Sequence, residues 1–294
     1  MHIPDGYLGP KTCIAFYAVM APVWYIASSR AQKSLKAAQL PILALGAAFT
    51  FVIMMFNIPV PGGSSGHMVG AVVVAIALGP WAGVVAMTLT LTLQAFLFGD
   101  GGLTALAANS FNMGVVMSFS GYYVYRVIAA GPAPSPKRRA IASAVAAYVA
   151  INLAAFAVVL ELGVQPGLEA GLGGAPLYAP YPLSVTLPAM MATHLVFFGP
   201  VEALGTALVV SYAHKFNDGA ILEAGKNASW KPLWAALIAL IILTPLGLFA
   251  SGTPWGEWGA QELGGIVGFI PSGMREMRGL WKGAMPGRLR RAGF

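Results

Sequence analysis

The sequence predicts an all-α polytopic membrane protein with about seven or eight transmembrane helices. Only 9% of the 294 residues are charged and 57% are hydrophobic, whereas an ordinary soluble domain carries about 25% charged residues. Apolar runs of about 20 residues, each long enough to cross a bilayer, recur along the whole chain. This composition excludes a soluble enzyme, a nucleic-acid-binding domain and a disordered chain, and it makes membrane lipid the expected surroundings of the protein.

The apolar runs define the expected helices in chain order. We expect spans at about 12–29, 39–57, 67–79, 81–98, 104–126, 139–161, 183–213 and 232–250. The third span is short, so we expect it to start inside the membrane. The seventh is long, so we expect it to project or bend, with Pro188 and Gly199-Pro200 as candidate kinks. No segment shows sustained period-two alternation, and the sequence therefore predicts no strand.

Basic residues set the expected orientation, because Lys and Arg concentrate in cytoplasmic loops. Three alternate loops carry them: Arg30, Lys33, Lys36, Arg126, Lys137, Arg138, Arg139, Lys215, Lys226 and Lys231. The opposite loops, 58–66, 99–103 and 162–182, carry none. We therefore expect a multi-pass protein of the cell membrane with its N-terminus outside. The basic tail 251–294 does not fit this pattern, because an even number of spans would place it outside. Either the rule fails there, or the segment 264–270 re-enters the membrane, or a further span has been lost.

The N-terminal Met1-His2 is the first candidate metal site. The Met1 amine and the His2 amide nitrogen would close a five-membered ring around a metal ion, and the same amide and the His2 Nδ1 a six-membered ring. A fourth nitrogen would complete the square-planar field that suits Ni(II) or Cu(II), and cobalt is also compatible. A lone N-terminal histidine is usually a solvated residue at a frayed end, but the turn residues Pro4 and Asp5-Gly6 directly before a span indicate a fixed terminus. No cleaved secretory signal is expected.

Further polar residues lie near the same predicted surface or inside the spans. His67 follows a small, flexible, uncharged stretch on the side of the N-terminus, so a ligand role is favoured over helix capping. His194 and Glu202 share a face of the seventh span; a buried polar network is the favoured reading and a metal pathway the other. The residues expected to orient the ligands are Asp5, Asn57, Gln94, Asp100, Asn109 and Asn112.

Energy transduction is not visible in this chain. It contains no Gly-x4-Gly-Lys-Ser/Thr phosphate-binding loop, so ATP-driven transport would need another chain to hydrolyse the ATP. Its single cysteine, Cys13, excludes an internal disulfide and a cysteine metal cluster.

Three early motifs together resemble the CbiM/NikM family of substrate-binding (S) components of energy-coupling-factor (ECF) cobalt and nickel transporters. They are Met1-His2-Ile3-Pro4-Asp5-Gly6, the stretch from Pro61-Gly62-Gly63 to Gly66-His67, and the stretch from Leu93-Gln94 to Ala105-Leu106. The later Thr193-His194 and Gly199-Pro200-Val201-Glu202-Ala203 also fit. The resemblance covers about residues 1–215 and identifies the chain as similar to a transporter subunit, with no catalytic residues and no bound cofactor.

The resemblance implies a fold, a site and partners. The fold would be an S-component-like bundle with an extra N-terminal segment and a C-terminal helix. The site would hold Ni(II) or Co(II) as transported ligand by the Met1 amine, the amide and imidazole of His2, and the imidazole of His67, under a loop within 58–66. The partners would be a transmembrane coupling (T) subunit, two ABC-type ATPases and a small accessory membrane subunit.

The domain organisation follows from these expectations. Residues 1–215 form the metal-binding membrane domain, 216–230 a cytoplasmic linker, and 231–294 an extra transmembrane helix with a basic tail. The Asp-Gly-Leu-Glu type motif expected of a fused small subunit is absent from this extension, which leaves open whether the eighth span replaces that subunit. The less favoured alternative is a stand-alone membrane metalloenzyme or ion carrier using His194 and Glu202, because His-Glu-x-x-His spacing is absent. The sequence leaves nickel and cobalt open.

Overall fold

The computed structural model describes residues 1–56, 58–60, 64–131, 134–171, 173–217 and 258–275. These residues form a bundle of helices with one short hairpin. The α-helices are α1 (Pro10–Ser34), α2 (Leu40–Met54), α3 (Ala71–Leu78), α4 (Pro80–Leu93), α5 (Leu106–Asn109), α6 (Met117–Ile128), α7 (Pro136–Gly163), α8 (Gln165–Leu168), α9 (Leu183–Thr193), α10 (Gly199–Asn217) and α11 (Ala260–Val267). A short 3₁₀ turn, Ala37–Gln39, precedes α2.

Three wider helical turns of the π type extend or join these helices. They are Gln94–Phe98 after α4, Ser110–Val116 between α5 and α6, and His194–Phe198 between α9 and α10. The seventh expected span is therefore one long helical run whose irregular turn ends just before the candidate kink at Gly199-Pro200. Turns of this type are rare and often lie at functional sites.

Five helical runs among the described residues are long and apolar enough to cross a membrane. They are Pro10–Ser34, Ala37–Met54, Pro80–Phe98, Pro136–Leu168 and Leu183–His214. These runs match five of the expected spans and indicate a multi-pass membrane protein. The expected fifth span corresponds to the run from α5 to α6, which ends at Ile128. The expected eighth span, 232–250, and the linker from residue 218 onward lie outside the described residues.

Two sequence expectations were wrong in detail. The third helix begins at Ala71 rather than near residue 67, because Gly70 has a φ of 75° and this left-handed conformation cannot continue a right-handed helix. The expectation of no strand is corrected by a short antiparallel hairpin. Its strands β1 (Ile58–Val60) and β2 (Ser64–Gly66) pair with Ile58 opposite Gly66.

Helix α7 lies at the centre of the bundle and packs against α6, α9 and α10. Its buried face is rich in small residues: Ala142, Ser143, Ala146, Ala147, Ala150, Ala154 and Ala155. Small side chains let neighbouring helices approach closely in a membrane protein, where packing drives helix association. The small-residue spacing of this region therefore serves helix packing within the chain.

The described part of the tail packs against the N-terminal segment. The Tyr7 hydroxyl donates a hydrogen bond of 3.0 Å to the Trp258 carbonyl oxygen, and the Gly273 amide donates one of 2.9 Å to the Leu177 carbonyl oxygen. Met274 is buried and lies against Gly6. Residues 258–275 therefore lie at the end of the bundle that carries the N-terminus, where an even number of spans would place them.

Candidate metal centre

The first residues of the chain are buried and held in place by Asn109. The Ile3 amide donates to the Asn109 Oδ1 at 2.9 Å, and the Asn109 Nδ2 donates to the Ile3 carbonyl oxygen at 3.1 Å. The same carbonyl oxygen accepts a second hydrogen bond of 2.9 Å from the Gly102 amide. Asn109 thus pairs with the backbone of Ile3 much as a neighbouring strand would, and this fixes the course of Met1 and His2.

Asp5 attaches the same segment to the loop before α5. Its carboxyl group accepts hydrogen bonds from the Leu103 amide at 3.1 Å, the Thr104 amide at 2.8 Å and the Thr104 hydroxyl at 2.6 Å. Gly102 allows this close approach, because a Cβ there would lie 2.5 Å from the Asp5 nitrogen. Asp5 therefore anchors the N-terminal segment to the loop before α5.

The structure brings His2 and His67 together. Their rings are stacked, with centroids 4.7 Å apart and an interplanar angle of 25°. The His67 Nδ1 donates to the Met68 carbonyl oxygen at 3.1 Å, because a carbonyl can only accept. The His67 Nε2 is buried and makes no hydrogen bond to the described residues. The His2 Nδ1 lies 3.1 Å from the Asp100 Oδ1.

The electrostatic surroundings keep both imidazoles uncharged. Burial, and after it the Met1 amine, lower the pKa of His2 to about 3, and the neighbouring Gln94 side chain opposes this shift. Burial also lowers the pKa of His67 well below its usual value, and the Met1 amine and His2 add to this effect. Burial raises the pKa of Asp100, against the influence of the same amine. The amine therefore acts on all three groups, and both imidazoles are in the neutral form that binds metals.

The other residues expected to support the site are placed differently. The Gln94 side chain is fully buried, and the Gln94 backbone carbonyl oxygen accepts from the Asp100 amide at 3.2 Å. Asn112 donates through Nδ2 to the Glu161 Oε2 at 2.8 Å, so its hydrogen bond joins two helices. Asn57 lies outside the described residues. Sequence reasoning missed Gln165, which follows Glu161 by one helical turn and whose Oε1 accepts from the Gly9 amide at 2.9 Å.

The two intramembrane candidates form hydrogen bonds within the protein. The His194 Nδ1 donates to the Met190 carbonyl oxygen at 2.9 Å, and its ring packs against Phe198 with centroids 5.2 Å apart. Glu202 accepts from the amides of Val69 and Gly70, two and three residues after His67, at 2.7 and 2.9 Å. His194 is thus bonded within its own helical run, whereas Glu202 reaches the segment that carries His67.

No three His, Cys, Asp or Glu side chains converge into a metal-holding group within the residues that the structure describes. The donors at this place are the two imidazoles, the nitrogens of the backbone and of the N-terminus, and the Asp100 carboxyl group beside the His2 Nδ1.

Comparison with known proteins identifies the family of this chain. The family model for the cobalt uptake substrate-specific transmembrane region, CbiM, matches residues 2–219. The chain belongs to the CbiM family. Membership confirms the resemblance found in the sequence, and it agrees with a transport protein rather than an enzyme.

Several known metal transport proteins are similar to this chain over most of their length. The fused nickel transport protein NikMN of Rhodobacter capsulatus is 43% identical, covering 97% of this chain and 88% of that protein. The probable fused nickel transport protein LarMN of Lactiplantibacillus plantarum is 44% identical, covering 90% of this chain and 79% of that protein. A crystal structure of a transition metal transporter is 48% identical with a TM-score of 0.71, covering 76% of this chain and 96% of that chain.

Proposed function

We propose that this CbiM-family protein is the substrate-capture subunit of an ATP-driven ECF importer for nickel or cobalt. It binds the divalent ion from outside through an all-nitrogen site. The donors are the Met1 amine, the amide nitrogen and Nδ1 of His2, and the imidazole of His67. The ion is the transported substrate and passes to the cytoplasm when partner subunits move this chain.

The stacked arrangement of His2 and His67 carries this proposal. The two residues are 65 positions apart in the sequence, yet their ring centroids are 4.7 Å apart. The buried His67 Nε2 is a lone-pair donor without a partner among the described residues, and an unpartnered buried polar atom is costly unless it serves a function. A metal ion chelated by the N-terminus would supply the missing partner and complete a square-planar field.

Asp100 supports the same interpretation. Its Oδ1 lies 3.1 Å from the His2 Nδ1, which is the ring nitrogen that closes the six-membered chelate. A metal ion at Nδ1 would replace this contact, and the neighbouring carboxyl group would offset part of the ion's charge. The N-terminal segment is already fixed by Asn109 and Asp5, so little chain entropy remains to be lost when the ion binds.

The wider arrangement belongs to the same proposal. The chain forms an S-component-like bundle of seven to eight transmembrane helices with its N-terminus outside, and a T subunit and two ABC-type ATPases drive transport. Similarity to a fused nickel transport protein extends over 97% of the chain, which favours the interpretation that 231–294 carry the small accessory module in the same polypeptide.

Metal binding to the purified protein tests the site. Ni(II) and Co(II) affinities are measured by competition with a chelator for the parent protein and for His67→Ala. We expect His67→Ala to weaken binding by at least about 100-fold, beyond the roughly 10–100-fold effect of losing an outer partner of a metal ligand. His214→Ala is the matched control, because His214 hydrogen-bonds Arg139 at the far end of α10. Unchanged affinity in His67→Ala would reject the proposed ligand set.

The alternative of a stand-alone metalloenzyme or ion carrier based on His194 and Glu202 is less favoured. The His194 Nδ1 is engaged by the Met190 carbonyl oxygen, and both Glu202 carboxyl oxygens accept backbone hydrogen bonds. Loss of activity in His194→Ala with metal capture at the N-terminus intact would support this alternative.

A further inference from the structure

The segment that carries His67 is held from a helix far along the chain. Residues 67–70 form no regular structure between β2 and α3. The Val69 amide donates to the Glu202 Oε2 at 2.7 Å, and the Gly70 amide donates to the Glu202 Oε1 at 2.9 Å. Glu202 and Val69 are both 0% exposed. A single buried carboxyl group on α10 therefore satisfies two consecutive backbone donors next to His67.

One peptide unit links this carboxyl group to the imidazole. The Val69 N–H and the Met68 C=O belong to the same peptide group, which is planar and polarisable. Its N–H donates to Glu202 and its C=O accepts from the His67 Nδ1 at 3.1 Å. The chain of contacts thus runs from the Glu202 carboxyl group through the Met68–Val69 peptide to the His67 ring. It ends at the His67 Nε2, which has no hydrogen-bond partner in the described part of the chain.

We infer that Glu202 is a positioning residue for metal capture, acting through the Met68–Val69 peptide to orient His67 and to keep its proton on Nδ1. This inference rests on the proposed function, in which the His67 Nε2 binds the ion. Ligating histidines usually donate their other ring N–H to a carboxylate or a backbone carbonyl, which fixes the tautomer and raises ligand basicity. Here a peptide group stands between the carboxyl group and the ring, and hydrogen bonds in such a chain strengthen one another.

Packing of the same helix face against the segment supports this role. Gly205 lies one turn beyond Glu202, and a Cβ there would collide with the Met68 thioether. On the preceding turn, Phe198 occupies the space beside Gly66 that a larger residue would need. The face of α10 and its preceding turn therefore sets the position of the segment on both sides of His67, so movement of α10 would be transmitted to the ligand.

A double-mutant cycle between Glu202 and His67 tests the inference. Ni(II) affinity is measured for the parent, Glu202→Gln, His67→Ala and the double variant. Glutamine can accept at one oxygen only, and its NH₂ group would face a backbone N–H donor. We expect Glu202→Gln to weaken binding roughly 10–100-fold in the parent and to have no further effect when His67 is alanine. If Glu202→Gln acted only on the general stability of the fold, it would weaken Ni(II) binding by the same factor in the parent and in the His67→Ala background.

Two controls keep the result interpretable. Glu161→Gln is the matched control, because Glu161 is also a buried carboxyl group but accepts from Asn112 on another helix; it is expected to leave Ni(II) affinity within about twofold, the scatter of independent sites. Where Glu202→Gln does not fold, Glu202→Asp replaces it in the same cycle, with a smaller loss that also disappears in the His67→Ala background.

The outcomes separate the two proposals. If His67→Ala alone leaves Ni(II) affinity unchanged, the proposed function fails. If His67→Ala weakens binding but Glu202→Gln has no effect, or has an equal effect in both backgrounds, the metal site stands and the role of Glu202 is refuted.

Discussion

Replacing Asn109 by alanine removes the side chain that fixes the N-terminal segment. The Ile3 amide would lose its acceptor, whereas the Ile3 carbonyl oxygen would keep its hydrogen bond from the Gly102 amide. The cost is therefore that of one buried, unsatisfied N–H group, about 2 kcal/mol. This corresponds to a roughly thirtyfold fall in the ratio of docked to undocked N-terminal segment.

Hydrogen exchange of the N-terminal peptide measures this ratio directly. We expect exchange in residues 1–8 to accelerate up to roughly thirtyfold in Asn109→Ala, because local opening exposes the Ile3 amide. Ni(II) affinity should fall by at most the same factor, since only the docked form presents the chelate to His67. Asn152→Ala is the matched control, because the Asn152 Nδ2 donates within α7 to the Tyr148 carbonyl oxygen. Unchanged exchange in Asn109→Ala, or an equal change in both variants, would refute the reasoning.

Two further predictions concern the same segment. Gly102→Ala should destabilise the docked N-terminal segment by about 1–3 kcal/mol, because the added Cβ would lie 2.5 Å from the Asp5 nitrogen. Gly167→Ala is the control and should leave docking unchanged, because a Cβ there meets open space. Equal hydrogen exchange of residues 1–8 in both variants would contradict this prediction. Ni(II) affinity should fall as the pH is lowered, because the Met1 amine and the His2 amide must lose protons to bind. The slope of Ni(II) affinity against pH should not steepen near pH 6.5, since burial lowers the pKa of both His2 and His67 below that value. Competition binding from pH 8 to 5 measures this slope. A steeper slope near pH 6.5 would show that the imidazoles titrate normally.

The helical framework was predictable because composition and local signals decide it. The expected span 81–98 matches the run Pro80–Phe98 closely, with proline at the first helical position, where it is favoured. The start of α7 at Pro136 follows Ser135, whose hydroxyl accepts from the Arg138 amide as a helix cap does. Such signals lie within a few residues of the boundary that they set.

The support of the site was not predictable because it depends on contacts between distant residues. Asn109 binds Ile3 across 106 positions and Glu202 binds Val69 across 133 positions. The sequence placed His2 and His67 on one side of the membrane through the loop charges, but it gave no indication that Glu202 would reach the segment after His67. The third helix starts later than expected because Gly70 is left-handed, and the amides of Val69 and Gly70 donate to the distant Glu202.

The most direct test of the central claim is Ni(II) affinity after a short Gly-Ser extension before Met1. The extension moves the primary amine away from His2, so the five-membered ring cannot form with it, and Met1, which is 4% exposed, has no space for added chain. The same residues added after Phe294 are the control, and the intact mass of each protein verifies its first residue. The account predicts a loss of at least about 100-fold for the N-terminal extension and none for the control. An N-terminally extended protein that binds Ni(II) as tightly as the parent would contradict it.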